Sequence, residues 1–510
     1  MEENQNVQHT SVPPWTSQTI QQPPLPPKEH PFFPAGKGEM FFGFGAVISG
    51  LSLVNCLIFG GANLGFALAT ILSICVAISY LWCSGRRPSG YSLSLMALGV
   101  VIAAGLARSN DSFVKFVMVI FLFLTVNLAL CLQAGQNRRN ASGFTTLLDA
   151  PRTFFSMGLG KLNTAFRGLR RTQKNGGTGS KKVGAVLTGL IIAVPVMVVV
   201  LLLLISADAA FEGLVAKLPD FDAPELFLTL MLGGILSSVL YTRGTALRYA
   251  PKQMPAKERT GRMNVLTVNT VLVGLCVVYA VYLASQLAYF VGGFSGVLPE
   301  GFTMSEYARR GFFEMAWLCV INLGIIALAV RLVEKKEKTP LWTRILCLFI
   351  GVVTVFFVIT ASAKMGMYIG SYGLTRLRVL TEVVMVFLGL STLTVCLWLF
   401  VPKLPYMKLV VILALVMGAA VLWADVDTVV AAYNVRAYQN GILETVDVEY
   451  LTGLSAGAAP YVAELAEAGD PIAQNYMEHV WFSESVKDDF RRWNWAVWVA
   501  QELLNNWRGN

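Results

Sequence analysis

Two stretches of the sequence collect charged and aromatic side chains of the types that bind anions. The first contributes Glu306, Arg309, Arg310 and Glu314. The second contributes Lys364, Tyr368, Tyr372, Arg376, Arg378 and Glu382. An arginine binds a carboxylate or a phosphate through two parallel hydrogen bonds, which gives such a site both strength and orientation. Together the two stretches predict a vestibule that binds an anionic headgroup.

The spacing of these residues supports two interpretations. Lys364, Tyr368, Tyr372 and Arg376 follow one another at intervals of four residues, so they share one face if the stretch is helical. Glu306, Arg310 and Glu314 have the same spacing with alternating charge. The first interpretation is a binding site. The alternative is a structural network that ties two loops together, a role that ion pairs at the ends of membrane helices commonly have.

Other groups that carry catalysis are scarce. The chain has three histidines, His9, His30 and His479, and none of them lies in an apolar run. Its 8 cysteines lie in or at the end of apolar runs and form no C-x-x-C pair. The nucleotide-binding pattern G-x-x-x-x-G-K-[ST] does not occur. We therefore predict no metal site and no cofactor, and we favour a protein that is not an enzyme.

Long apolar runs must position these residues. Hydrophobic residues make up 55% of the chain and charged residues only 14%, against about 25% charged in soluble proteins. Runs long enough to cross a bilayer as helices occur near 41–59, 65–83, 91–107, 113–134, 183–206, 225–242, 265–291, 312–333, 342–361, 380–401 and 409–425. The pattern predicts an all-α, polytopic membrane protein with about eleven transmembrane helices.

The distribution of basic residues predicts the orientation of these helices. If the N-terminus is cytoplasmic, 27 of the 40 Lys and Arg residues fall on the cytoplasmic side, counting helix ends. Cytoplasmic loops of membrane proteins carry such an excess. We therefore predict a cytoplasmic N-terminus and, with eleven spans, an extracytoplasmic C-terminus. The stretches near Glu306 and Arg376 then lie on the outer side.

Two segments outside the bilayer belong to the cytoplasmic side in this topology. Residues 1–38 are rich in proline and predict a disordered tail, with docking on a proline-recognising protein partner as the alternative. In the loop 140–182, residues 153–171 predict a helix with one apolar face. The opposite face carries Lys161, Arg167, Arg170 and Arg171. A basic amphipathic helix of this kind binds anionic lipids at the membrane surface.

The C-terminal segment 426–510 follows the membrane domain 39–425 and differs from it in composition. It has 12 acidic and 5 basic residues and includes 5 of the 11 tryptophans. The pattern predicts short helices in a small extramembrane segment, the last helix beginning near Ser485. This segment either lies on the outer surface of the membrane and caps the membrane domain, or forms a separate helical core. Its charge of −7 leaves +16 on the rest of the chain, which topology explains without nucleic-acid binding.

Three motifs resemble one known family. They are Ser305–Glu314, the run Tyr368-x-x-x-Tyr372-Gly-Leu-Thr-Arg376-Leu-Arg378, and a tail pattern with Asn434, Tyr438, Gly441, Asp447, Tyr450 and Leu454. Over roughly residues 40–470 the chain is similar to multi-pass membrane proteins of the domain-of-unknown-function 4153/4173 family. The resemblance implies a bacterial cytoplasmic membrane protein. It implies no activity, ligand or catalytic residue.

These observations favour a non-enzymatic envelope, sensing or membrane-assembly protein that binds a ligand at its outer surface. A transporter or lipid-handling translocase is the first alternative, with the two charged stretches as an entrance for an anion. An intramembrane transferase acting on a lipid-linked substrate is the second, with Glu306 or Glu382 as the base.

A reporter fused after Asn510 tests the topology, because an odd number of spans puts the two termini on opposite sides of the membrane. We expect a reporter that is active only outside the cytoplasm to be active there, and a cysteine at the C-terminus to react with a membrane-impermeant reagent in intact cells. A cytoplasmic signal would contradict the eleven-span prediction.

Overall fold

A computed structural model describes residues 37–136, 145–159, 223–250, 263–293, 312–333, 339–480 and 489–509, together with five isolated positions. In these residues the regular structure is helical, and the only β-type pairing is an isolated bridge between Met263 and Val333. Nine of the described helices are long and apolar enough to cross a membrane. The predicted all-α, polytopic fold is thus confirmed.

The helices follow the apolar runs because a helix satisfies its own backbone hydrogen bonds where no water is available. The membrane domain contains α1 (Lys37–Phe59), α2 (Leu64–Cys83), α3 (Gly90–Leu106), α4 (Ser112–Gln133), α5 (Thr145–Thr153), α6 (Ala223–Tyr249), α7 (Val265–Gly293), α8 (Phe312–Leu332), α9 (Leu341–Tyr372), α10 (Arg376–Phe400) and α11 (Tyr406–Ala424). The tail contains α12 (Val426–Gln439), α13 (Val448–Thr452), α14 (Ala459–Glu467), α15 (Pro471–His479) and α16 (Trp495–Gly509).

The observed helices differ from the predicted spans in four main respects. Helix α9 continues to Tyr372, 11 residues beyond the predicted end at 361, so most of the predicted outer loop before Gly373 is helical. Helix α3 has 17 residues, which is short for a bilayer crossing. The predicted span 183–206 lies outside the described residues, apart from four isolated positions. Helix α6 continues to Tyr249 rather than ending near 242, so Arg243 lies inside a helix and not in the following loop. Hydropathy alone ended this helix too early because Arg243 interrupts the apolar run.

The described membrane helices pack around two apolar cores. The first core joins α1–α4, α6 and α11 through side chains such as Leu81, Leu95 and Leu422. The second joins α7–α10 through Ile326, Ile350 and others. Helices α10 and α11 are in contact and connect the two cores. The boundary along α10, α11 and α4 is called the seam below.

Polar side chains hold the second core together. The Tyr279 hydroxyl donates to Asn322 Oδ1 at 2.5 Å, and Asn322 Nδ2 donates to Thr354 Oγ1 at 3.0 Å. Near one end of the same helices, the Thr343 hydroxyl donates to Asn269 Oδ1 at 2.7 Å. Amide groups inside a membrane domain are costly unless another helix supplies a partner. The asparagines therefore fix how α7, α8 and α9 pack.

The helix ends define two opposite faces of the bundle. At one face, Arg86 donates to the carbonyls of Ala134 at 2.8 Å and Arg248 at 3.0 Å, and also to that of Ala250. These carbonyls end α4 and α6, so one guanidinium caps two helices. We call this the Arg86 face. Residues 60–63, 107–111 and 373–375 lie at the other face, which we call the tail face.

The acidic tail is anchored to the tail face by residues 489–495. The backbone N–H of Leu64 donates to Trp493 O at 3.1 Å, and that of Trp495 donates to Ala107 O at 2.8 Å. Asn494 caps α16, because its Oδ1 accepts from Ala496 N at 3.1 Å. The last helix thus begins at Trp495, and the predicted start near Ser485 is wrong. Asp489–Asn494 form the anchoring turn instead.

Helix α5 and the π-helical turn Phe154–Gly158 pack along the membrane helices. The ring of Phe154 meets that of Phe123 edge-on at 4.9 Å, and Gly158 faces Val239 of α6. Only the first seven residues of the predicted amphipathic helix 153–171 are described. Its four basic residues, Lys161, Arg167, Arg170 and Arg171, lie outside the described part of the chain.

The Tyr279–Asn322–Thr354 network leads to a stability prediction. Replacing Asn322 by Ala should lower the free energy of unfolding by about 1 kcal/mol, because two buried hydroxyls lose their bridging partner. Thr270→Val is the matched control, since that exposed hydroxyl donates only to Leu266 O of its own helix. Unfolding in mixed detergent micelles measures both. Equal stability of the two variants would contradict a structural role for Asn322.

Candidate functional site

The break between α9 and α10 decides where the predicted site residues lie. Gly373 follows the last residue of α9 with φ of 72°, a conformation that favours glycine. A Cβ at Gly373 would lie 2.5 Å from Asn434 Oδ1, so there is also no room for a side chain at this position. Thr375 then caps α10 by accepting from Arg378 N at 3.4 Å. The prediction of one continuous helical face through Tyr372 and Arg376 is therefore wrong.

Arg376 starts a new helix and points its guanidinium at two buried carboxylates. Its Nε donates to Asp427 Oδ1 at 2.8 Å and its Nη2 to Asp427 Oδ2 at 2.6 Å, the two-pronged geometry that guanidinium groups favour. The same Nε lies 2.8 Å from Asp111 Oδ2. Both carboxylates are fully buried, whereas the Arg376 side chain is 35% exposed. These three residues form the Arg376 triad.

Asp111 links the triad to the first core. It is the N-cap of α4, where its Oδ1 accepts from Phe113 N at 2.8 Å and from Val114 N at 3.0 Å. A carboxylate at this position satisfies free backbone N–H groups and interacts favourably with the helix dipole. Among the described residues, its second oxygen has only the ion-pair contact with Arg376, because the single N–H on Nε is aligned with Asp427. Asp111 thus serves one helix end and one ion pair.

Two aspartates at the start of α12 occupy contrasting environments. Burial alone raises the pKa of Asp427, but hydrogen bonds from Arg376 and Ser455 outweigh that effect and hold its pKa below the usual value. Burial raises the pKa of Asp425, and hydrogen bonds from Thr428 and Ser109 only partly offset it. Asp427 therefore holds its charge firmly, whereas Asp425 is the less acidic group.

Close packing and an unusual backbone conformation hold Asp425 in place. Asp425 is fully buried and has φ of 56°, the only positive φ of a non-glycine residue in the described chain. A Cβ at Gly457 would come within 2.0 Å of Asp425 Oδ2, so this position accepts glycine only. The carboxylate accepts from Ser109 Oγ at 2.8 Å and from Thr428 Oγ1 at 2.7 Å.

Two of the sequence motifs that carry the family resemblance bind each other. Asn434 from the tail pattern accepts from Leu374 N at 2.7 Å and donates to Leu374 O at 2.8 Å. Tyr450 from the same pattern accepts from Arg376 N at 2.9 Å through its hydroxyl. The tail motif therefore binds the turn between α9 and α10 through hydrogen bonds to its backbone. Sequence reasoning identified both motifs but did not place them in contact.

A second ion cluster anchors the tail beside the triad. Arg491 pairs with Glu225 of α6 and with Asp489 at 2.8 Å, and its Nη1 donates to Asn55 Oδ1 at 2.9 Å. The hydrogen bond to Asp489 raises the pKa of Arg491, so this cation stays charged. Nearby, the buried Lys115 ammonium donates to Asn63 Oδ1 at 2.5 Å. The Asn55 side chain thus binds a charged partner as well as a neighbouring helix.

The remaining predicted residues are divided among other environments. Arg378 lies 4.0 Å above the ring of Tyr368 and donates to Tyr372 O at 3.0 Å, capping the end of α9. Glu314 is exposed at the start of α8, and Lys364 is half-buried in α9. Glu382 Oε2 is buried, with no hydrogen-bond partner among the described residues. Glu306, Arg309 and Arg310 lie outside the described residues.

An open cleft lies against the triad at the tail face of the seam. Its volume is about 490 Å³, and its lining consists of Phe113, Thr375, Arg376, Leu377, Leu380, Tyr450, Gly453 and Leu454. The Nη1 donors of Arg376 have no protein acceptor in the described structure. Leu377 and Phe113, which are 64% and 60% exposed, form an apolar wall. The cleft therefore offers charged donors beside a surface suited to hydrocarbon.

The cleft is lined by hydrogen-bond donors and apolar side chains rather than by metal ligands. In the described part of the chain, no group of three or more His, Cys, Asp or Glu side chains is arranged to hold a metal ion.

Sequence reasoning missed Asp111 and Asp427, the two partners of Arg376. An Asp immediately before an apolar run is a helix-cap signal, and that signal marks Asp111. No local pattern pairs Asp427 with a residue 51 positions away.

The contrast between Asp427 and Asp425 leads to a second prediction. Asp427→Asn should lower the free energy of unfolding by about 2 kcal/mol at neutral pH, because a partly exposed guanidinium loses one carboxylate. Asp425→Asn is the matched control and should change stability by less than about 1 kcal/mol. Asparagine tolerates positive φ, accepts from Ser109 and donates to Thr428. Unfolding in mixed micelles measures both variants.

The pH dependence gives an independent check on Asp427. Its lowered pKa means that its stabilising contribution is complete above the pKa of an unfolded aspartate, about 4, and is lost as the pH falls through the folded value. The stability difference between the wild type and Asp427→Asn should therefore shrink as the solution is acidified below pH ~4. A difference that is independent of pH would contradict the ion pair as its cause.

The chain is similar to one known protein family. The model of the family described as "Domain of unknown function (DUF4153)" matches residues 92–465, well over half of the 510-residue chain. No curated protein and no solved structure matches it. The matched region contains the Arg376 triad, the turn at Gly373 and the tail motif that holds it. The chain therefore belongs to the DUF4153 family, as its motifs predicted.

Proposed function

We propose that this integral membrane protein is not an enzyme and binds the anionic headgroup of an amphiphile in the cleft beside the Arg376 triad. The observation that carries the proposal is the combination of free guanidinium donors with an apolar wall in one cleft of about 490 Å³. Phosphate oxygens suit the donors of Arg376, and an acyl chain suits the wall formed by Leu377 and Phe113. In this role the protein senses or assembles envelope components.

The triad supports this role because it holds Arg376 in place before a ligand arrives. Asp427 takes the Nε and one Nη2 hydrogen, which leaves the Nη1 edge of the same guanidinium for a ligand. A side chain already fixed by its own partners loses little conformational entropy on binding. With two carboxylates to one guanidinium the triad has a formal charge of −1. A headgroup is therefore bound through the Nη1 hydrogen bonds and not through net charge, and a singly charged headgroup is repelled less than a highly charged anion.

The position of the cleft supports an amphiphile rather than a soluble anion. Leu377 is at the start of α10 and Phe113 is at the start of α4, so both lie at the ends of membrane-crossing helices. Exposed apolar side chains at this level contact lipid. The cleft opens where the two apolar cores meet, and a lipid chain can extend along the seam below it.

We further propose that the N-terminus is cytoplasmic, the tail is extracytoplasmic and the membrane is the bacterial cytoplasmic membrane. The excess of Lys and Arg on the N-terminal side carries this orientation. Loops that it assigns to the outside meet at the tail face, and Arg86 with its carbonyl partners lies at the other face. The cleft then takes its ligand from the outer leaflet, and anionic lipids of the inner leaflet bind the basic loop 140–182.

Lipid retention tests the proposed cleft. The protein would be placed in bilayer nanodiscs containing phosphatidylglycerol, and bound lipid would be counted by native mass spectrometry. Leu377→Ser and Arg376→Lys should each lower retention of the bound lipid roughly 5–10-fold, a loss of about 1–1.4 kcal/mol. The first removes apolar wall, and the second keeps the charge but removes the Nη1 donors.

The control for this experiment is Leu397→Ser. Leu397 lies on the same helix and is 60% exposed, close to the 64% of Leu377, but it lies far from the cleft. We expect it to retain lipid as the wild type does. Equal retention by the Leu377 and Leu397 variants, or wild-type protein that retains no lipid, would refute the proposal.

A further inference from the structure

A second arginine lies buried in the first core, where no sequence pattern indicated a site. Arg243 is 4% exposed and occupies α6 six residues before the helix ends at Tyr249, about 9 Å from that end. It therefore lies inside the part of α6 that crosses the membrane. At the centre of a membrane helix a cation costs roughly 2.5–3.5 kcal/mol even by the lower scales unless something compensates its charge, and a smaller cost of the same origin applies at the depth of Arg243.

The described neighbours of Arg243 do not supply that compensation. Its Nη2 donates to the backbone carbonyl of Asn127 at 3.3 Å, and its guanidinium lies 5.4 Å above the ring of Phe154. Its Nε has no hydrogen-bond partner in the part of the protein that the structure describes. Within the described residues it forms no ion pair with a carboxylate. Arg376 is partly exposed and binds two carboxylates, whereas Arg243 is buried and has no counter-charge among the described residues.

A small cavity lies next to Arg243. It has a volume of about 40 Å³ and is bordered by residues of α1, α2, α4 and α6. Ser49, which is 2% exposed, also borders it, and the Ser49 hydroxyl has no partner in the described structure. The third polar residue of the wall, Ser73, donates its hydroxyl to Ala69 O of its own helix at 2.7 Å. The rest of the wall consists of apolar side chains and Gly244.

The unpartnered groups around this cavity are complementary to an anion. Both Arg243 Nε and Ser49 Oγ can donate a hydrogen bond, and neither has an acceptor in the described protein. The apolar walls do not replace the hydration that an ion loses, so Arg243 and Ser49 must compensate for it. A volume of about 40 Å³ admits a monatomic ion or water molecules but excludes a lipid headgroup. Water alone would satisfy the donors but would leave the charge of Arg243 uncompensated.

We propose that this cavity is a binding site for a monatomic inorganic anion of the chloride class. Arg243 supplies the charge and Ser49 a hydrogen bond. The ion would neutralise Arg243, which has no carboxylate partner among the described residues, and would hold α1 and α6 together around it. Its binding would therefore stabilise the folded membrane domain.

Salt-dependent thermal unfolding of the whole protein in detergent tests the site. At constant ionic strength, replacing gluconate by chloride should raise the unfolding temperature by about 2–4 °C and saturate. Bromide should have the same effect, and crystals grown with bromide should show its anomalous signal between Arg243 and Ser49. Equal unfolding temperatures in the two salts, or water alone in the cavity, would overturn the proposal.

Two matched variants separate a specific site from a general effect of salt. Ser49→Ala should raise the half-saturating chloride concentration about 5–10-fold, because one hydrogen bond to a charged group is lost. Ser238→Ala should leave it unchanged, since that hydroxyl of α6 donates to Gly234 O of its own helix at 2.9 Å. Arg243→Gln should abolish the chloride effect. Identical responses of the two serine variants would contradict the site even if the Arg243 variant does not fold.

Discussion

The ion pair between Arg376 and Asp427 is the interaction on which the tail face of this protein depends. It joins the first residue of a membrane helix to the first turn of the tail, and Asp111 extends it to the cap of α4. Both carboxylates are fully buried, and a buried carboxylate is stable only with a charged or hydrogen-bonding partner. The position of this guanidinium determines three other features. These are the turn at Gly373, the hydrogen bonds of Asn434 and Tyr450 to that turn, and the cleft.

The membrane imposes a second constraint, which is that helix ends must find partners for their backbone groups. Arg86 caps two helices at its face, Arg378 caps α9, and Asp111 caps α4. Arg86 and Arg378 cap helices that belong to other segments of the chain, whereas Asp111 caps the helix that directly follows it. Capping therefore also decides which segments lie side by side, and the anchored tail is part of the same arrangement.

The two arginines show how burial can lead to different roles. Arg376 is partly exposed and neutralised by protein carboxylates, so its remaining donors are available for a ligand headgroup. Arg243 is almost fully buried among neutral groups, so its charge needs an ion from outside the described chain. The surroundings of Arg376 leave hydrogen-bond donors accessible at the surface. The surroundings of Arg243 leave a positive charge without a counter-charge inside the first core.

The sequence by itself determined most of the membrane helices and one of the side chains that matter at their ends, Arg376. Apolar runs of sufficient length form helices in a bilayer whatever their neighbours are, and the motif around Arg376 was visible as a cluster of functional residue types. Only the tertiary structure decided what Arg376 binds, because Asp111 and Asp427 lie far from it in the chain and an ion pair requires proximity in space. It also placed Arg243 inside a helix, since hydropathy reads a charge as the end of a span, whereas packing can bury one.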